Sequence, residues 1–188
     1  THVDHNSVSM GNISGLSLER LTDKETTSDA TNIGGIAGTS SGVIRACENS
    51  ANIGYEKMGY NVGGIAGLCQ GKISDCAVYT NIIIRRNYDV WTTVGAIAGH
   101  LDTTVSVAER CYTNADIAIY NPENAKNTHS GALVGYNTGT VSKCYYPEKY
   151  SSAVGTNGTY AGTLGQATDC VSFAATEIAK PETYTYLD

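Results

Sequence analysis

Four cysteines occupy one place in a repeating pattern. Cys47, Cys76 and Cys144 each lie 13 residues after a glycine (Gly34, Gly63 and Gly131), and Cys111 lies 16 after Gly95. If the units stack as β-strands, equivalent cysteines have Cα atoms about 4.8 Å apart. That spacing is within the range a disulfide tolerates. Spacing does not set orientation, so a ladder of buried thiols and a set of disulfides are both open readings. Cys69 and Cys170 stand outside the pattern. A zinc site would need tight pairs such as CxxC, and the sequence has none. No metal and no cofactor is expected.

Three other groups invite chemistry. Glu48, Asp75 and Glu109 cluster near the cysteine position of successive units. Stacked carboxylates can bind Ca²⁺ or perform acid–base work on polysaccharides. These three fall one after, one before and two before the cysteine, so solvated surface charge is the plainer reading. His2, Asp4 and His5 form an HVDH sequence. On an extended strand the two histidines point to opposite faces, which leaves an incidental terminus. Asn52, Asn81 and Asp116 each lie five residues after a cysteine. They read as a structural ladder in which an inward amide bonds its counterpart one unit away.

The best binding candidate is the segment RRNYDVW, with Arg85, Arg86, Tyr88 and Trp91. Its rings would stack on a sugar face or anchor a protein contact, with the arginines as donors. Tyr120, in the next insertion, would flank it. The plainer alternative is that Trp91 covers the edge of the core.

All these residues hang on an internal repeat. NIGGIAG begins at Asn32, NVGGIAG at Asn61, TVGAIAG at Thr93 and HSGALVG at His129, and a degenerate copy begins near Tyr160. The anchor glycines Gly34, Gly63, Gly95 and Gly131 set periods of 29, 32 and 36 residues. A second anchor recurs at Gly38, Gly67, Gly99 and Gly135, where a corner calls for positive φ or close backbone approach. A third glycine, at Gly42, Gly71 and Gly139, is replaced by Thr103 or Thr104 in the third full unit. Apart from three residues inserted between Gly95 and Cys111, length varies just before each first anchor, as in a solenoid with constant strands and one variable loop. Recurrence in every unit also rules against a phosphate-binding loop, which is a single strand–turn–helix event.

Each unit offers three short strands, for example VGGIAG, GKISDC and TNIII. The expected fold is all-β: a parallel β-helix with coils of about 30 residues, right-handed by the crossover rule. Ile36, Ile65, Ile97 and Leu133 would form an aliphatic ladder along its axis. Residues 1–165 would be solenoid, beginning with a partial coil over 1–31 in which Asn12 matches the Asn52 position. Residues 166–188 would form a C-terminal cap.

Composition agrees. Tyr occurs 13 times and Gly 21 times, against one Phe and one Trp, which suits a narrow β core. A net charge of −6 argues against nucleic acid as a partner. No run of about 20 apolar residues is present to span a membrane. The chain opens without Met or a signal peptide and reads as a piece of a longer polypeptide with other domains.

The units resemble the GLUG-motif repeats of bacterial surface proteins. GALVG at Gly131–Gly135 is the nearest copy, GGIAG at Gly34 and Gly63 carries Ile in place of Leu, and the following GxIxxC…N pattern is similar. The resemblance covers about residues 32–145. It implies β-helical repeats in an exported, adhesin-like protein at the bacterial cell surface. Such a module would bind a host or matrix glycan or protein, or serve as a stalk. Similar repeats also stand beside immunoglobulin A-cleaving metallopeptidase domains, but HExxH is absent here, so that activity does not carry over. The expected module is therefore not an enzyme. The alternative is a carbohydrate-active β-helix enzyme built on the carboxylates.

Overall fold

A computed structural model of the chain describes residues 3–4, 8–9, 12–13, 32–53, 61–85, 91–120, 128–160 and 162–174. The protein is a parallel β-helix. Its strands form five parallel sheets, each receiving at most one strand per coil. Sheet 1 contains Asn32–Gly34, Asn61–Gly63, Thr92–Gly95 and Thr128–Gly131. Sheet 2 contains Ala37–Ser40, Ala66–Cys69, Ala98–Leu101, Val134–Asn137 and Val154–Asn157. Sheet 3 runs from Val3–Asp4 through Val43–Arg45, Lys72–Ser74, Val107–Glu109 and Thr140–Ser142 to Gln166–Thr168. Sheet 4 runs from Val8–Ser9 through Glu48–Asn49, Ala77–Val78, Tyr112–Thr113 and Tyr145–Pro147 to Val171–Phe173. Sheet 5 contains Asn12–Ile13, Asn52–Ile53, Asn81–Arg85 and Asp116–Tyr120.

The repeat sets the register residue by residue. Gly34, Gly63, Gly95 and Gly131 are stacked partners. Asn12 pairs with Asn52 and Ile13 with Ile53, so the N-terminal strands are a half coil in register with the first full one. The VGGIAG stretch is bent at Gly64–Ile65 into a strand on each side. A two-residue strand, Ala77–Val78, stands between the other two expected strands.

The bend explains the glycines. A Cβ on Gly63 would lie 2.1 Å from the Ala66 carbonyl oxygen, and one on Gly67 2.5 Å from the Ile33 nitrogen. Both glycines are required by close backbone approach, and neither has positive φ. The left-handed residues are instead Ala46, Asp75, Arg110, Lys143 and Asp169, each immediately before a cysteine. The corner is thus made by non-glycine residues in a conformation they ordinarily avoid.

Large aliphatic side chains fill the interior at the bend and on sheet 3. Ile65, Ile97 and Leu133 are fully buried in one ladder, with Ile36 partly buried at its end. Ile44, Ile73, Ala108 and Val141 face them. A second cluster joins Ile33, Val62 and Val94 of sheet 1 to Ile53, Ile82 and Ile84 of sheet 5. Each such burial stabilises the coil by about 1.5–3 kcal/mol.

Several details depart from the sequence reading. The fifth unit enters sheet 2 at Val154–Asn157, not near Tyr160. Ala153 sits beneath Leu133 there, its carbonyl accepting from the Leu133 N–H at 2.8 Å. Thr159–Tyr160 and Thr163–Leu164 form an antiparallel hairpin instead. Gln166–Thr168 and Val171–Phe173, placed above in the cap, continue sheets 3 and 4. Residues 175–188 lie outside the described residues. In the third full unit Ser106, rather than Thr103 or Thr104, takes the third glycine position: its carbonyl accepts from Thr140 as that of Gly71 accepts from Val107. The inserted residues loop out before it, leaving Val105 exposed. Among the described residues no helix is long and apolar enough to cross a membrane.

Candidate functional site

The cysteines form a ladder of thiols, with no disulfide among the six. Cys170, which stood outside the sequence pattern, is its fifth rung. Each rung follows a left-handed residue and donates to the carbonyl two residues before it. The distances are 3.2 Å for Cys47 to Arg45, 3.1 Å for Cys76 to Ser74, 3.3 Å for Cys111 to Glu109, 3.1 Å for Cys144 to Ser142 and 3.5 Å for Cys170 to Thr168. A small apolar side chain with a weak donor suits a buried corner with one carbonyl to satisfy. Cys69 lies apart in sheet 2, where burial pushes its thiol up to about 11. Burial also raises Cys111. Five cysteines are buried and Cys170 is partly exposed. Brief alkylation of the native protein should therefore label Cys170 first, and the other five only after denaturation. Peptide mass mapping checks this; early labelling of Cys76 or Cys111 would contradict the ladder.

The three carboxylates do not converge. Glu48 belongs to sheet 4 and pairs with Ala77, whereas Glu109 belongs to sheet 3 and pairs with Ser74. Asp75 is held by Arg110, with Nε–Oδ1 at 2.6 Å and Nη2–Oδ2 at 2.9 Å. Glu109 meets Lys72 Nζ at 2.7 Å and also the Arg110 guanidinium. The Arg110 hydrogen bonds hold the Asp75 carboxyl below its ordinary range, and Lys72 does so for Glu109. Both act as partners in an ion-pair network, and neither is poised as a proton donor near neutral pH. No group of three metal-ligating side chains is present among the described residues.

The Asn52, Asn81 and Asp116 positions are stacked, but Asn81 and Asp116 face solvent. Lys149, at the same place one coil on, pairs with Asp116. Asn52 does bond its counterpart one coil on, its Oδ1 accepting from the Asn81 N–H at 3.3 Å. Buried amide bonds occur at other positions. Asn61 Nδ2 donates to Asn32 Oδ1 at 2.7 Å, and Thr93 Oγ1 donates to Asn61 Oδ1 at 2.8 Å. Asn49 is fully buried and donates to the Gly64 carbonyl at 2.8 Å.

Of the binding candidates, Arg85 and Tyr120 are paired across adjacent rungs of sheet 5. Arg86 and Tyr88 lie outside the described residues, as do His2 and His5. Trp91 packs into an aromatic and imidazole cluster. Its ring centroid is 4.4 Å from His129, 4.9 Å from Tyr136 and 6.4 Å from His100. His100 and Tyr136 are also 5.0 Å apart, edge to face.

Two facing rows build this cluster. On sheet 2, Thr39, Leu68, His100, Tyr136 and Thr156 are stacked partners. On sheet 1, Asn32, Asn61, Thr93 and His129 are stacked likewise. Hydrogen bonds cross between the rows: Asn32 Nδ2 donates to Thr39 Oγ1 at 3.0 Å, and His129 Nδ1 shares a 2.8 Å bond with Thr156 Oγ1. Trp91 enters just before the third strand of sheet 1 and lies across both rows.

Polar groups surround the rings. His100 Nε2 lies 3.7 Å from Asp102 Oδ1, beyond hydrogen-bond range, and is buried without a partner among the described residues. Burial lowers the His100 pKa, so this imidazole is neutral near pH 7. Gln70 Nε2 donates to Asp102 Oδ2 at 2.9 Å. The cluster thus joins an indole, a phenol and two imidazoles, one of them with an unsatisfied nitrogen. Comparison with known proteins supplies no further guide: no family model, curated protein or solved structure matches the chain. The resemblance to GLUG-motif repeats therefore rests on the residues quoted for it.

Proposed function

We propose that the chain is a noncatalytic β-solenoid module of a bacterial cell-surface protein, adhesin-like, which binds a hydroxyl-rich glycan of the host or matrix at the Trp91 cluster. The observation that carries this reading is the convergence of Trp91, His100, His129 and Tyr136 from two successive coils. An indole offers a face to the C–H side of a pyranose, and imidazole and phenol groups exchange hydrogen bonds with its hydroxyls. A neutral His100 and the adjacent Asp102 favour an uncharged sugar over an anionic one. The module's other role is that of a rigid spacer. The carboxylate-based enzyme loses its support, because Glu48 is on another sheet and Asp75 and Glu109 are committed to Arg110 and Lys72.

The test is a combined glycan and extracellular-matrix protein array probed with the purified protein and with Trp91→Ala and Tyr136→Phe variants, all checked by thermal melting. Binding to a neutral glycan, weakened tenfold or more by Trp91→Ala, is expected. Binding only to matrix proteins would replace the glycan assignment. Glycan binding untouched by Trp91→Ala would reject the site, and no binding at all would leave the spacer role.

A further inference from the structure

The end of the thiol ladder differs from its middle. Cys144 is fully buried and Cys170 is partly exposed, and the Cys170 thiol reaches back toward the coil that carries Cys144, donating to the Val141 carbonyl at 3.8 Å. They are equivalent residues one coil apart. The Val171 N–H donates to the Cys144 carbonyl at 2.8 Å, and the Lys143 N–H to the Thr168 carbonyl at 3.2 Å. The residues before them, Lys143 and Asp169, share φ of 53°, so both cysteines leave the corner in the same backbone conformation. In-register rungs put their Cα atoms about 4.8 Å apart, within disulfide range.

Their Cβ atoms start at about the same separation, slightly beyond the roughly 3.5–4.5 Å a disulfide prefers. An inner pair such as Cys76 and Cys111 is clamped by strands on both sides and cannot close that gap cheaply. The coil carrying Cys170 has a sheet 3 and sheet 4 partner on one side only among the described residues. It is also the rung that a reagent can reach.

We propose that Cys144 and Cys170 form a thiol–disulfide exchange site, which takes a low-molecular-weight disulfide and closes into a disulfide stapling the last coil to the one before. Cys170, the thiol that solvent reaches, gives its proton to solvent, and the resulting thiolate attacks one sulfur of the reagent R–S–S–R. The reagent's S–S bond breaks, the first R–S⁻ leaves and takes a proton from solvent, and a mixed disulfide remains on Cys170. Cys144 then gives its proton to solvent and attacks the Cys170 sulfur, expelling the second R–S⁻, which is protonated in turn. Two protein thiols are oxidised by two electrons, and one R–S–S–R is reduced to two R–SH.

The experiment incubates the native chain with excess oxidised glutathione, blocks remaining thiols and maps disulfides by peptide mass analysis. The expected product is a single Cys144–Cys170 disulfide, reversed by dithiothreitol. The melting temperature should rise by about 5 °C or more, because a long loop is closed. In Cys144→Ser the reaction should stop at a glutathione mixed disulfide on Cys170. In Cys170→Ser, which changes a partly exposed side chain, neither product should form. A mixed disulfide that persists on Cys170 in the unsubstituted chain would overturn the proposal. So would a first disulfide between any other pair, or no reaction at Cys170.

Discussion

Alanine at Gly99 should destabilise the protein by about 3 kcal/mol or more, at or beyond the upper end of ordinary overpacking. An added Cβ would sit 2.5 Å from the Val62 nitrogen, 2.7 Å from the Gly67 carbonyl oxygen and 2.8 Å from the Asn61 carbonyl carbon. All three are backbone atoms of the neighbouring coil, so no side chain can rotate away. Relief would require sheets 1 and 2 to part at the bend, which would also open the facing rows beneath Trp91. The informative comparison is Gly162→Ala. Gly162 has φ of +85° with open space around a Cβ, so its substitution costs only backbone conformation, about 1–2 kcal/mol. Urea unfolding of the two variants separates steric from conformational glycine. A Gly99→Ala midpoint equal to or above that of Gly162→Ala would refute the close-approach account.

That contrast marks how far the sequence could be read. The first two anchor glycines and the cysteines recur because every coil repeats the same bend and the same corner. Their alignment therefore foretold the register, including Asn12 on Asn52. Glycine corners were expected to need positive φ or close backbone approach; close approach is what they show, and the positive φ belongs to Ala46, Asp75, Arg110, Lys143 and Asp169. Those residues share no chemistry, so nothing in their types announces a common conformation. The fifth coil was misplaced because Ala153 stands where Ile or Leu stands elsewhere, and because a hairpin at Thr159–Leu164 imitates a new start. Cys170 escaped the pattern for the same reason, since counting from the wrong anchor puts it out of phase.

The Trp91 cluster was legible only in part. Trp91 itself was evident, as the chain's one tryptophan in a variable loop. Its partners were not, because His100 and Tyr136 occupy a position that holds Thr39 and Leu68 in other coils. Repeat analysis discards such variation as noise. A usable signal was present: the residue after each second anchor glycine forms one outward row on sheet 2. Reading that column across coils yields Thr, Leu, His, Tyr and Thr, a surface that changes along the axis while the core beneath it does not. In a solenoid, shared columns build the fold, and the columns that differ are where recognition chemistry can be placed.

The second large effect concerns the core ladder, where position along the axis matters as much as residue type. Ile97→Ala should cost about 2–5 kcal/mol, the usual range for truncating a buried aliphatic side chain whose cavity cannot collapse. Ile97 is fully buried between Ile65 and Leu133, its N–H donating to the Leu133 carbonyl at 2.8 Å and its carbonyl accepting from Ile65 at 3.1 Å. Those rung bonds hold the spacing on both sides, so neighbours cannot slide in to fill the void. Ile36→Ala removes the same atoms from the end of the ladder, where the side chain is only partly buried. Its cost should be less than half that of Ile97→Ala. Because coils contact only their neighbours, stability is approximately a sum of coil and interface terms, and a weak central interface divides the rod. Hydrogen exchange should therefore show Ile97→Ala lowering protection on both sides of the third full coil, whereas Ile36→Ala lowers it mainly in the first. Equal losses in the two variants, with uniform loss of protection, would mean that the solenoid unfolds as one indivisible unit and that its stability cannot be assigned coil by coil.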